Sequence, residues 1–145
     1  MALIEHLVEA ADYWVTKLIE DMQELGINAV HYGDQERLET SPVVCVEPDT
    51  QRNELNGIPR RVRTTLGLYF IIYHAKIQSP QVNRREADET TKTLVNYLHA
   101  DPRMNDTVIH CMVTRVESGY VYKQNTLVRA TRILFEAETQ AQLPN

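Results

Sequence analysis

Three things are scarce in this 145-residue chain, namely glycine, cysteine and long apolar runs, and each shortage removes a class of function. The five glycines, Gly26, Gly33, Gly57, Gly67 and Gly119, stand alone. A phosphate-cradling loop or a dinucleotide fingerprint needs several glycines close together, so that backbone amides can close on a phosphate. Nucleotide chemistry is therefore not expected. The only cysteines, Cys45 and Cys111, lie inside the apolar runs PVVCV and VIHCMV, where a thiol behaves as a small hydrophobe. Reduced core residues are expected rather than a cross-strand disulfide or a reactive thiol. The longest apolar run, 66–73, falls far short of the roughly 20 residues that cross a bilayer. The opening MALIEHLVEAAD has no positive segment of the secretion-signal kind, so a reducing, aqueous compartment is the expectation.

What is present suits one soluble domain over 1–145, with 43% hydrophobic and 24% charged residues. A chain of this length buries about 68–70% of its unfolded surface, enough for a core without metal or disulfide staples. The charge is unevenly spread. Residues 1–25 hold six acids (Glu5, Glu9, Asp12, Glu20, Asp21, Glu24) and one base, Lys17, which accounts for the whole formal charge of −5. Residues 50–63 instead carry Arg52, Arg60, Arg61 and Arg63 against Glu54 alone. Such a separation can steer association between copies, while a solvated helix face beside a charged loop explains it equally well.

Apolar residues at 3, 4, 7, 8, 11, 14, 15, 18, 19, 22 and 25 follow helical spacing, which predicts an amphipathic helix over 2–25 that stops at Gly26. Two short strands, 27–32 and 42–47, follow, then a polar loop over 48–60 with two prolines and Gly57. From 61 to 77 the period changes to two. Val62, Thr64, Leu66, Leu68, Phe70 and Ile72 share a core face, whereas Arg61, Arg63, Thr65, Tyr69, Ile71 and Tyr73 share an amphipathic one. A helix over 83–99, with Asn83 and Glu86 as a capping box, precedes strands at 107–117 and 125–139, joined by a link containing Gly119. Residues 140–145 read as a flexible tail.

The order αβββαββ predicts an α+β fold, a mostly antiparallel sheet with two helices packed on one face. Seventeen residues of strand would span roughly 55 Å, longer than a compact domain of this size, so the strand must bend, break or project as a long hairpin. Gly67 is the candidate bend. A projecting hairpin exposes edges that other chains can pair with.

Catalytic constellations are hard to assemble. The histidines at 6, 31, 74, 99 and 110 are scattered, and His110 and Cys111 should point to opposite faces of a strand, so no metal site is expected. His110 reads as a satisfied core or interface residue. Cys45 as a nucleophile would be blunted by apolar neighbours that raise its pKa. Arg60, Arg61, Arg63, Arg84 and Arg85 could meet phosphates, but a net charge of −5 argues against direct nucleic-acid recognition. Arg115, Arg129 and Arg132 interrupt apolar strands, where they suit either a partner's carboxylates or the chain's own Glu117, Glu136 and Glu138.

The opening helix LIEHLVEAADYWVTKLIEDM, the strand LGLYFIIYHAKI, the helix READETTKTLVNYLHADPRM and the strand TLVRATRILFEAET together resemble the tail terminator (tail completion) proteins of long-tailed bacteriophages and the related neck and minor tail proteins. The resemblance covers about residues 1–139 and rests on the order and length of patterns, not on a short motif. It implies a non-enzymatic virion protein without cofactor or metal, assembled in the host cytoplasm and placed at the head-proximal end of a tail. There it would form a homo-oligomeric ring, of six copies in the family, that caps the tail tube and gives the neck or head-completion protein a docking surface. The tail sheath is a further partner, no membrane is involved, and DNA meets the ring only in passing through the channel. A neck or baseplate adaptor ring is the alternative within the same class. A small hydrolase or nucleic-acid-binding enzyme is the alternative outside it. A ring needs one patch to meet a different patch. The expected subunit-interface residues are Glu5, Glu9, Asp12, Glu20 and Glu24 on one side and Arg52, Arg60, Arg61 and Arg63 on the other, with Tyr69, Tyr73, Arg129 and Arg132 on the sheet.

Overall fold

The computed structural model describes residues 3–36, 42–55, 61–74 and 80–142, the side chains of residues 61, 80–83, 141 and 142 excepted. Helix α1 (Leu7–Leu25) starts later than the apolar spacing suggests, because residues 3–5 are drawn out of it. The Ile4 amide donates to the Thr107 carbonyl at 2.7 Å, and His6 takes an extended conformation at the N-cap. The stop is Gly26, at φ 72°, a left-handed conformation that costs a residue without a Cβ little.

Strand β1 (Ala29–Tyr32) is followed by β2 (Val43–Leu55), β3 (Arg61–His74), helix α2 (Pro80–His99), β4 (His110–Lys123) and β5 (Thr126–Gln142). The sheet order is β1-β2-β3-β5-β4, with β1 parallel to β2 and every other pair antiparallel. This is an α+β fold with both helices on one face. Trp14 and Leu18 from α1 and Leu94 and Leu98 from α2 meet Leu66, Leu68, Phe70, Ile72, Ile133 and Phe135 of the sheet in one core. Its centre is aromatic: Trp14, Phe70 and Phe135 pack edge to face in all three pairings, at 5.5–6.0 Å between ring centroids.

Four local expectations need correction. The 48–60 loop is strand as far as Leu55, because β3 supplies a pairing partner that outweighs polar composition. Pro48 is accommodated beside a bulge: it pairs with Leu68 and Gln51 with Leu66, so Asp49 and Thr50 together face Gly67. Gly67 thus receives a bulge carried by the opposite strand. The second helix begins at Pro80, whose missing amide hydrogen is no loss in a first turn, so Asn83 lies inside the helix rather than capping it. Gly119 is part of β4, and the reversal falls at Gln124–Asn125, both left-handed with φ 49° and 63°. Residues 140–142, expected in the tail, pair with Arg63, Val62 and Arg61. Residues 56–60 and 143–145 lie outside the described residues.

Excess strand length is absorbed at the far end of the hairpin. Among the described residues the last pair between β3 and β5 is His74 with Arg129, and β4 and β5 continue beyond it as a two-stranded ribbon. That ribbon folds back across the second face of the sheet. Val121 and Val128 pack with Val43, Cys45, Ile71, Tyr73 and Ala130 in a separate small cluster.

Candidate functional site

On the second face the ribbon is held by polar contacts. Lys123 Nζ donates to both carboxylate oxygens of Asp34, each at 3.1 Å, although β4 and β1 are opposite edges of the sheet. The Tyr73 hydroxyl donates to Asp34 Oδ1 at 2.6 Å, Lys123 stands 5.0 Å from the centre of the Tyr73 ring, and the Gln124 amide donates to Glu36. Asp34 and Lys123 are 89 residues apart, and nothing in the sequence pattern pairs them. Burial raises the Cys45 thiol to about 11 and raises the Tyr73 hydroxyl, with Asp34 adding to both shifts. Neither group is poised for nucleophilic chemistry at neutral pH.

On the helix side, hydroxyls tie the two helices to their surroundings: Tyr13 donates to Asp101 at 2.6 Å and Tyr97 to Asp21 at 2.5 Å. Burial raises both hydroxyls, and it raises the Cys111 thiol to about 12. Both cysteines are free and buried. Among the described residues no three His, Cys, Asp or Glu side chains gather as a metal site, and no helix is long and apolar enough to cross a membrane.

Glu5, Glu9, Asp12, Glu20 and Glu24 are all exposed along the outside of α1. Within this chain Arg52 and Arg63 have acids of their own. Arg52 pairs with Glu54 at 3.7 Å, and Arg63 pairs with Glu138, which also takes His110 Nε2 at 2.6 Å. His110 is thus an exposed residue in contact with Glu138 rather than a core residue. Arg60 lies outside the described residues, and Arg61 stands opposite Gln142. The acidic helix and the 52–63 region start side by side rather than as separate poles. The Gln51 side chain accepts from the Leu7 amide at 3.3 Å and donates to the Glu5 carbonyl at 3.4 Å.

Tyr73, expected at a subunit surface, is instead 2% exposed, because the ribbon covers it. Tyr69 is half-buried with Arg132 over its ring at 5.9 Å. Arg115 pairs with Glu117 at 2.8 Å. Arg129 is buried beside Tyr120, its guanidinium carbon 5.7 Å from the ring centre, and among the described residues its Nε has no hydrogen-bond partner. Burial also lowers His74, which pairs with Arg129 across the strands.

The surface missed by sequence reasoning is apolar. A second bulge, at Thr114, re-phases β4, since Val113 pairs with Phe135 but Arg115 pairs with Leu134. Val116, Tyr120 and Tyr122 consequently lie on the helix side of the sheet, where they are 46%, 50% and 72% exposed. The period-two alternation contained this signal only if the bulge was known. Along the other edge, α1 exposes Val8 and Ile19 at 55% and 48%.

A small α+β domain whose β4 edge pairs with no further strand among the described residues, and which leaves apolar side chains uncovered, is the class that the fold and surface define. No family profile and no curated protein matches the chain. Among solved structures, a chain of "Virion of native gene transfer agent (GTA) particle" is similar, with a TM-score of 0.54 and 14% identity over 93% of this chain and 96% of that one. The likeness is one of fold.

Proposed function

We propose that this chain is a structural protein of a phage-like virion, and within it a tail terminator. In this reading copies assemble into a ring, six in number, that stops growth of the tail tube and offers its other face to the neck or head-completion protein. One observation carries the reading: the fold likeness to a chain of an assembled gene transfer agent particle extends over nearly the whole length of both chains, so it involves the complete subunit and not a shared motif. The open edge of β4 and its exposed side chains support it, because such surfaces are normally covered by another chain.

The test measures mass and effect on a tube together. Six copies of 16.7 kDa predict a species of about 100 kDa by light scattering and ring-shaped particles by electron microscopy. Added to a polymerising tail-tube protein from the same genome, the chain should shorten the tubes and sit at one end of each. Tubes of unchanged length and bare ends would overturn the terminator assignment, leaving a neck or baseplate adaptor as the reading to pursue.

A further inference from the structure

Exposed apolar side chains lie at opposite edges of the sheet, on its helix side. Val8, Val15, Ile19 and Met22 of α1 follow spacings of seven, four and three, which puts them on one flank of the helix; Val8 and Ile19 are exposed, whereas Val15 and Met22 are half-buried against the core. That flank is turned away from α2, because Tyr13 and Asp21, which bond toward Asp101 and Tyr97, occupy the other flank. It therefore overlooks the β1 edge. Its exposed part is roughly 17 Å long from Val8 to Ile19 at 1.5 Å per residue.

At the other edge, β4 presents Val116 and Tyr120 as a shelf on the α2 side, roughly 13 Å long at 3.3 Å per residue, with Tyr122 beyond it on the ribbon. Val121, pointing the opposite way, is already used in the second cluster. Charge differs between the two. The helix stripe is flanked by Glu5, Asp12 and Glu20, whereas the shelf adjoins Arg129, a buried cation whose Nε lacks an acceptor among the described residues.

Resting on the ring reading above, we infer that the α1 stripe of one copy covers the β4 shelf of the next. Within one subunit the strand directions run up, down, up, down from β2 through β3 and β5 to β4. Rotation about an axis roughly parallel to the strands places the next copy's β1–β2 edge beside β4, with its α1 on the same side as α2. The shelf then gains the helix cover it lacks, and the contact joins two different patches, as ring closure requires.

Two substitutions at exposed positions, Ile19→Glu and Val116→Glu, test this by sedimentation and light scattering. Each variant should lose higher assembly, with association weakened about tenfold or more. Each also retains one intact patch, so an equimolar mixture should form a two-chain species that grows no further. Far-UV circular dichroism and thermal unfolding check the fold, and Ile19→Ser with Val116→Ser serve if a glutamate disturbs it.

If the wild type forms a ring and both variants assemble as it does, the contact assignment is overturned while the ring reading stands. If only Val116→Glu disrupts and mixing rescues nothing, β4 meets β4 in a two-fold contact and the inference is wrong. A wild type that stays at 16.7 kDa across the concentration range overturns the inference and the ring reading together.

Discussion

The two faces of this sheet are closed in different ways. The helix side is sealed by area: α1 and α2 lay an aromatic and aliphatic layer over the middle of the sheet, with Trp14, Phe70 and Phe135 fully buried. The opposite side is sealed by reach. A two-stranded ribbon, too long for the sheet, folds over a small cluster and is tethered by Lys123 and Tyr73 on Asp34. Apolar cover is non-directional and grows with area, whereas a tether depends on a few groups that must find one another. One face should therefore respond mainly to lost volume, the other to lost contacts.

The largest effect expected is on the helix side. Phe70→Ala empties the middle of the aromatic cluster and should cost about 3–5 kcal/mol, read as a lowered urea midpoint at unchanged slope. A loss under 1 kcal/mol would mean that the helices do not seal this face as described.

Alkaline pH probes both faces at once. The folded chain holds the Cys45 proton up to about 11 and the Cys111 proton up to about 12, whereas the ordinary value is 9.0. For a raised acid the stabilising effect is complete below the unfolded value and disappears as pH climbs through the folded one. Unfolding titrations should thus show stability constant up to pH 9 and falling towards 11 and 12, with the buried hydroxyls of Tyr13, Tyr73 and Tyr97 acting in the same direction. Cys45→Ala should make the fall shallower between 9 and 11. An unchanged slope would place Cys45 in contact with water.

Lys123→Ala tests the tether alone. Asp34 keeps the Tyr73 hydroxyl and stays partly solvated, so the loss in stability should be about 1 kcal/mol. The sharper readout is local: a thiol reagent should label Cys45 faster in the variant while Cys111, beneath the helices, reacts as before. Equal acceleration of both thiols would point to global opening instead.

An effect of similar size belongs to Gly67, on the second face. A Cβ there would stand 2.9 Å from Thr50 Oγ1, the end of a side chain that can turn away. Gly67→Ala should cost about 1 kcal/mol, and adding Thr50→Ala should recover most of it. Failure of the second change to rescue would shift the blame to the Thr50 backbone oxygen, which a Cβ would meet at 3.4 Å.

Much of this molecule is written into its residue periods. The apolar positions of 2–25 fall at helical spacing, with Ala11, Trp14 and Leu18 buried, and Leu66, Leu68, Phe70 and Ile72 alternate with Ile71 and Tyr73, so the helix, the strand and the strand's two faces were legible in the sequence. Gly26 marked its helix end because one left-handed residue was required there. The hidden features all depend on partners distant in sequence. Pairing with β3 turned a proline-containing polar stretch into strand, the bulge at Thr114 changed which side of β4 faces the helices, and the ribbon took Tyr73 out of solvent. Local periodicity records how each segment divides between apolar and polar sides. Which surface finally covers a side is settled by long-range pairing and by the twist of strands that outrun their neighbours, and that is where the open stripe and the open shelf arose.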